Sequence, residues 1–196
     1  LTDKAAAGAA GTREQVVATK AIDRTPRIAR AEHELSRYYM LRQRPELPRT
    51  TKRERRDWIL LVETSADRDP LLARAQVEVA RGVLGHVEHD DTFTIFTAAA
   101  AANRLTETME PATVDNVGNA IARLEDTQLL GAFDFSGTLA TVKPIAASCG
   151  NPYLVHIGSG YAALGAKAND QLIAALPEKT KYIGIGVGKR WNRALM

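Results

Sequence analysis

The sequence predicts an α/β protein with a doubly wound, mostly parallel sheet flanked by helices. Apolar, strand-like runs, WILLVE, TFTIFT, YLVHIG and KYIGIGVG, alternate with stretches of helical periodicity between residues 57 and 196. Parallel strands must be joined by crossover connections of about a dozen residues or more, and the intervening helices supply them. We therefore expect one such domain over residues 57–196.

Each element of this domain follows from a local pattern. The strand WILLVE leads to a helix that starts near Pro70, where LLARAQVEVARGVL repeats apolar residues along one face. TFTIFT is the second strand, and NRLTETM is a short strand at the sheet edge. Helices are expected over residues 113–124 and from about Phe135 to Ala147, with Pro144 bending or ending the second one. YLVHIG, NDQLIAAL and KYIGIGVG then form a strand, a helix and a strand.

Residues 1–56 differ in character from the rest of the chain. Residues 1–57 hold 14 Lys or Arg against 8 Asp or Glu, although the whole chain has a net charge of only +3. Residues 1–20 are rich in Ala and Gly and are expected to form a tail. Between Pro26 and Pro45, apolar residues recur at helical spacing and predict an amphipathic helix. These apolar residues are Ile28, Leu35, Tyr39 and Leu41. The sequence thus predicts a basic, partly helical N-terminal arm and linker.

Composition excludes several classes of protein. No window of 18 apolar residues occurs, so we expect a soluble chain without a membrane span, with the cytoplasm favoured. Cys149 is the only cysteine, which rules out an intramolecular disulfide and argues against a cysteine-ligated zinc site. The basic arm lacks the interleaved aromatic residues of a nucleic-acid-binding segment, so a solvated linker is favoured over nucleic-acid binding. GIGVGK lacks the spacing of a phosphate loop, and no cofactor is expected.

Oxygen-bearing side chains follow the predicted strand ends. Glu63, Ser65 and Asp67 come at the end of the first strand of this domain, and Ser159 follows the strand YLVHIG. The carboxyl ends of parallel strands meet at one rim, so the loops VETSAD, GAFDFSGTL and VHIGSG should converge there. Such a rim is where an open α/β sheet builds a ligand or divalent-metal site.

Over residues 57–196 the chain resembles the von Willebrand factor A (vWA) domain, particularly the versions in bacterial multidomain proteins and inter-alpha-trypsin inhibitor heavy chains. The resemblance lies in the first strand, the DDTFTIFT strand, the PATVDNVGNAIARL helix, the GAFDFSGTL loop and IGIGVGKRWNRAL. It implies a protein-binding or assembly module with protein partners. The family's sheet has a sixth strand and a last helix after the segment matching IGIGVG. We therefore expect a C-terminally incomplete domain in which the missing elements are either disordered or cleaved, or another chain or segment completes the sheet.

The same resemblance implies a metal-ion-dependent adhesion site, which the family builds from a D-x-S-x-S loop, a Thr and a final Asp. The matching positions in this chain are Glu63, Ser65, Asp67, Phe133 with its neighbour Asp134, and Ser159. Magnesium needs near-octahedral oxygen ligands at short distances, and a longer Glu and an apolar Phe serve this poorly. The resemblance therefore implies a degenerate metal site. Glu63 and Asp67 leave weak magnesium or calcium binding open.

Three functions are compatible with this sequence. The leading hypothesis is a non-enzymatic interaction module that binds protein through the six residues just named, with Phe133 supplying apolar contact area in place of an ion. The first alternative is a metal-dependent adhesion domain that uses Glu63 and Asp67 as ligands. The second alternative is a hydrolase with Ser159 as the nucleophile and His156 or His86 as the base.

Overall fold

The computed structural model describes residues 27–33, 36–42 and 53–196, and the chain divides into two compact units between Lys52 and Arg53. In the first unit, strands β1 (Arg27–His33) and β2 (Ser36–Arg42) pair antiparallel, with Ile28 opposite Leu41. The predicted helix is therefore wrong over these residues. The tail over residues 1–20 lies outside the described residues.

The reason for this error lies in the residues of β2. Tyr38 and Tyr39 favour the extended backbone of a strand, and a short run of apolar residues fits a helical or a strand period almost equally well. In the antiparallel register Glu32 lies opposite Arg37. Cross-strand partners thus outweighed the helical spacing from which the helix was predicted.

The second unit contains the predicted parallel sheet. Its strands are β3 (Asp57–Glu63), β4 (Thr92–Ala98), β5 (Ala102–Arg104), β6 (Glu110–Pro111), β7 (Pro152–Gly158) and β8 (Lys181–Gly186). The main order is β5-β4-β3-β7-β8, in which β3, β4, β7 and β8 are parallel. The short strands β5 and β6 pair antiparallel with β4. The mostly parallel α/β fold predicted from the sequence is confirmed.

Helices cover both faces of this sheet. They are α1 (Pro70–Leu84), α2 (Val114–Glu125), α3 (Phe135–Ser148) and α4 (Asn169–Ala175). On one face Leu60 and Val62 pack with residues of α1 and α2, and on the other Ile59 and Leu61 pack with α3 and α4. The strand β3 is buried on both faces, as expected for a central parallel strand. None of these described helices is long and apolar enough to cross a bilayer.

Polar residues start three of the helices. Asp69 accepts a hydrogen bond from Leu71 N at the start of α1, and Thr113 accepts one from Asn116 N at the start of α2.

Pro144 lies inside α3, which continues to Ser148, so this proline does not end the helix. After β8, the described residues 187–196 contain no further strand or helix, and in the described sheet β8 pairs only with β7.

Two buried aspartates hold the amino-terminal edge of the sheet. Asp57 accepts hydrogen bonds from Thr92 Oγ1 at 2.7 Å and from the backbone N–H groups of Gly150 and Asn151. Asp91 accepts from Trp58 Nε1 at 3.0 Å and from the backbone N–H of Arg56, and it forms an ion pair with Arg53. Burial alone would raise the pKa of each carboxyl, but these hydrogen bonds and charges outweigh it and lower both pKa values.

Acid is therefore expected to destabilise this domain, and Asp91→Asn to weaken that response. Because the pKa of Asp91 is lowered on folding, its stabilisation is present above the ordinary value of 3.8 and is lost as the pH falls from there through the folded-state pKa. The free energy of unfolding of the variant should be about 1–3 kcal/mol lower at pH 7, and it should decrease less steeply as the pH falls. Urea unfolding from pH 7 to pH 2 measures both effects. If the free energy of unfolding decreased equally steeply with falling pH in the two proteins, the prediction would be contradicted.

Candidate functional site

The loops that follow β3 and β7 meet the segment between α2 and α3 at one edge of the sheet. Residues 63–71, 130–134 and 159–164 form this edge, which we call the crest. Backbone hydrogen bonds join the loops: Ala66 N donates to Gly131 O, Leu130 N donates to Thr64 O, and Ala163 N donates to Phe133 O. The sequence-predicted site residues therefore lie on loops that contact each other.

Glu63 is the buried centre of the crest. Its side chain is completely buried, and its carboxylate accepts hydrogen bonds from Ser159 N at 2.9 Å, Gly160 N at 2.6 Å and Ser159 Oγ at 3.1 Å. His156 Nε2 lies 2.9 Å from Glu63 Oε1. Burial alone would raise the pKa of Glu63, but the hydrogen bond and charge of His156 and the two backbone N–H groups outweigh it and lower that pKa.

Arg68 lies directly over this carboxylate. Its Nη1 is 3.4 Å from Glu63 Oε2, and its Nη2 is 3.5 Å from Asp67 Oδ2 and donates a hydrogen bond of 2.8 Å to Ser159 Oγ. The side chain is only 10% exposed, and its Nε has no hydrogen-bond partner in the described part of the chain. One guanidinium thus contacts oxygens from two loops. Sequence reasoning missed Arg68, although it is the single cation within the acidic run ETSADRD.

Asp67 and Ser65 complete the outer side of the network. Ser65 is buried and donates a hydrogen bond from its hydroxyl to Asp67 Oδ1. The Asp67 side chain is 62% exposed. The hydrogen bond from Ser65 and the positive charge of Arg68 together hold the pKa of Asp67 below its ordinary value. The structure therefore places Glu63, Ser65, Asp67 and Ser159 in one connected group.

His156 and Tyr182 support Glu63 from the interior. His156 is fully buried, its Nδ1 lies 2.9 Å from the Tyr182 hydroxyl, and its ring stacks on Phe135 with ring centroids 4.6 Å apart. Burial, together with the nearby charge of Glu63, raises the pKa of Tyr182. The row Glu63–His156–Tyr182 links β3, β7 and β8. Sequence reasoning had considered His156 only as a catalytic base.

Two of the six predicted site residues do not belong to the hydrogen-bond network around Glu63. Phe133 is 1% exposed and packs against Phe135 and His156, so its prediction as a surface contact is wrong. Its place in the second hydrophobic core, behind Glu63, removes it from any partner's reach. Asp134 accepts hydrogen bonds from Ser136 Oγ at 2.7 Å and Gly137 N at 2.9 Å, which makes it the N-cap of α3. It shares no described bond with the Glu63 network.

The residues present do not fit a divalent metal ion. The oxygens of Glu63, Asp67 and Ser159 that would face an ion already face the guanidinium of Arg68. Within residues 27–33, 36–42 and 53–196 there is no group of three or more His, Cys, Asp or Glu arranged to hold a metal. Magnesium also requires a nearly ideal octahedral shell, which a bulky cation at the centre prevents.

The surroundings of Ser159 do not resemble those of an activated nucleophile. Its side chain is buried, it donates to Glu63 Oε2, and it accepts from Arg68 and from Tyr161 N at 3.2 Å. The described bonds of His156 go to Glu63 and Tyr182, so no histidine base is positioned on the serine hydroxyl. The other proposed base, His86, is near Gly82 O at 2.8 Å, at the far end of α1.

Comparison with known structures agrees with this architecture. The chain is similar to a von Willebrand factor type A protein from Catenulispora acidiphila, with a TM-score of 0.60 and 12% identity over 72% of this chain and 35% of that one. Proximal thread matrix protein 1 from the mussel byssus gives a TM-score of 0.57 and 12% identity over 72% of this chain and 38% of that one. The ArnB paralog VWA2 from Sulfolobus acidocaldarius gives a TM-score of 0.53 and 12% identity over 71% of this chain and 37% of that one.

These likenesses define the class of the fold. The chain has a vWA fold, as the sequence resemblance predicted. It spans between 35% and 38% of the length of those three proteins. A further structure of the mussel protein, with a TM-score of 0.58, has a zinc-occupied MIDAS motif, the metal-ion-dependent adhesion site. No protein-family model and no curated protein matches this sequence.

Proposed function

We propose that this chain is a non-enzymatic protein-interaction or assembly module that binds its partner through the crest without a metal ion. The observation that carries the proposal is a group of exposed apolar side chains around the Arg68 network. Four large apolar residues on the crest are between 44% and 71% exposed. They are Leu71, Leu130, Tyr161 and Leu164. Exposed apolar residues around a buried polar centre are typical of protein-binding surfaces.

The charges of the crest support a partner that does not need a metal bridge. Glu63 and Asp67 are both close to Arg68, and Asp69 and Asp134 also lie on the crest, which therefore carries four carboxylates for one guanidinium. The exposed charges beside Arg68 are those of Asp67 and Asp69, which favours apolar contacts or a basic partner group over an acidic one.

Substitution on the crest is expected to abolish partner capture, whereas an equally exposed site elsewhere should tolerate it. The double variant Leu130→Ser/Tyr161→Ala should lower enrichment of the bound partner at least about tenfold, since apolar anchors carry most binding energy. Val114→Ser is the matched control, because Val114 is 79% exposed at the opposite end of the sheet, just after β6. Affinity purification followed by quantitative mass spectrometry measures the enrichment.

The same purification in EDTA tests the metal-free part of the proposal. Enrichment should be unchanged by the chelator. A partner that is released by EDTA and restored by Mg²⁺ would instead support the metal-dependent adhesion domain. If the crest variant and Val114→Ser lost the same amount of partner enrichment, the crest would not be the binding surface.

A further inference from the structure

We propose that the guanidinium of Arg68 is a built-in cation that takes the place of a divalent metal ion at the crest, so that Arg68 is what keeps the crest from binding metal. The inference does not depend on which partner the crest binds. It rests on the contacts of one buried side chain and on the oxygens around it.

The atoms around Arg68 are those of a hard-cation site. Within 3.5 Å of its two terminal nitrogens lie Glu63 Oε2, Asp67 Oδ2 and Ser159 Oγ. Two carboxylates and a hydroxyl are the ligands that Mg²⁺, Mn²⁺ and Ca²⁺ take in proteins, usually with water completing the shell. The same three oxygens therefore suit either a metal ion or the guanidinium that now lies among them.

Burial separates this arrangement from an ordinary surface ion pair. The Glu63 side chain is fully buried and that of Arg68 is 10% exposed, so solvent screens their attraction only weakly. Glu63 has a role of its own in the fold, because its carboxylate accepts from Ser159 N and Gly160 N. A buried carboxylate requires compensating hydrogen bonds and positive charge, and Arg68 contributes to these from the same loop, opposite His156.

The unpartnered Nε of Arg68 agrees with this interpretation. A guanidinium in a dedicated structural ion pair donates in a two-pronged, bidentate fashion, often through Nε. Here Nε makes no hydrogen bond within the described residues, and the contacts to the two carboxylates are 3.4 and 3.5 Å long. The pocket fits the positive charge of Arg68 better than it fits the shape of its guanidinium.

Removing Arg68 is therefore expected to create a divalent-metal site. Arg68→Ser should bind Mn²⁺ at least about tenfold more tightly than the unaltered protein, because two carboxylates lose the arginine that lies between them. The variant should also melt at a higher temperature in Mn²⁺ or Mg²⁺ than in EDTA, since a ligand that binds only the folded state stabilises it. Electron paramagnetic resonance of Mn²⁺ and thermal melts of the full chain measure the two effects.

Three further proteins make the result decisive. Arg68→Lys keeps the charge and should show no metal response, and Arg68→Ser/Asp67→Asn should lose the gained site. Arg74→Ser removes an exposed arginine of α1 that has no described partner, so it controls for net charge. If Arg68→Ser does not fold, Arg68→Gln, which is closer to Arg in length and polarity, gives the same readout.

Each outcome decides the proposal. Tighter Mn²⁺ binding by Arg68→Ser or Arg68→Gln that is absent from Arg68→Lys supports it. Comparable Mn²⁺ binding by the unaltered protein at the crest overturns it, because Arg68 would then not exclude the ion. No gain in any neutral variant overturns it as well. None of these measurements involves a partner protein, so they stand apart from the purification test of the proposed function.

Discussion

Replacing Glu63 with alanine is expected to lower the free energy of unfolding by about 3–5 kcal/mol. The substitution removes the acceptor for Ser159 N, Gly160 N and Ser159 Oγ. Among the described residues it leaves the exposed carboxylate of Asp67 as the remaining counter-charge of Arg68. Buried donors that lose their acceptor cost the full desolvation penalty. Urea unfolding followed by circular dichroism measures the loss.

The control for this experiment is a glutamate of the same domain that lies at the surface. Glu125 pairs with Arg81, and both side chains are about half exposed, so Glu125→Ala should cost no more than about 1 kcal/mol. Glu63→Gln should fall between the two, because it keeps the volume but turns an NH₂ group towards donors. A loss of under about 1 kcal/mol for Glu63→Ala would show that the crest does not depend on this carboxylate.

The order of elements in the second unit was predictable because the signals were local. Buried strands give apolar runs, and polar caps mark helix starts, as Asp69 and Thr113 do for α1 and α2. The alternation of these elements then fixes crossover connections and a parallel sheet. In the first unit the local signals conflicted, since the residues of β2 fit both the helical period and the strand period. Pairing with β1 decided the outcome, and a pairing partner is not a local property.

The position of the crest could be predicted, but the role of each side chain in it could not. The rule that strand ends share one rim correctly placed Glu63 beside Ser159. It says nothing about which way a loop residue points, and Phe133 turned inward onto His156 while Asp134 turned back to cap α3. Arg68 was missed because a single arginine among acidic residues looks like a solvated charge. Only the structure shows that it is buried.

Gly158→Ala is the second substitution with a large expected effect, and it should lower the free energy of unfolding by about 3 kcal/mol, the upper end of the usual cost of overpacking. A Cβ at this position would lie 2.2 Å from Glu63 Cδ and 2.5 Å from its Cγ, well inside contact distance. The end of an unrestrained side chain could move away. The Glu63 carboxylate cannot do so easily, because it is hydrogen-bonded to Ser159 N, Gly160 N and His156. The strand β7 must therefore shift, or the carboxylate must leave its donors. Chemical unfolding monitored by tryptophan fluorescence measures the cost.

The mid-helix glycine Gly82 provides a control of opposite sign. A Cβ there would meet nothing within 4 Å, and the residue is exposed inside α1, so Gly82→Ala should stabilise the domain by about 0.5–1 kcal/mol. The difference between the two variants isolates the close approach of β7 to Glu63 from the general effect of adding a methyl group. If Gly158→Ala were neutral, Glu63 would have to be free to move, and the buried carboxylate could not be the rigid support on which Arg68 rests.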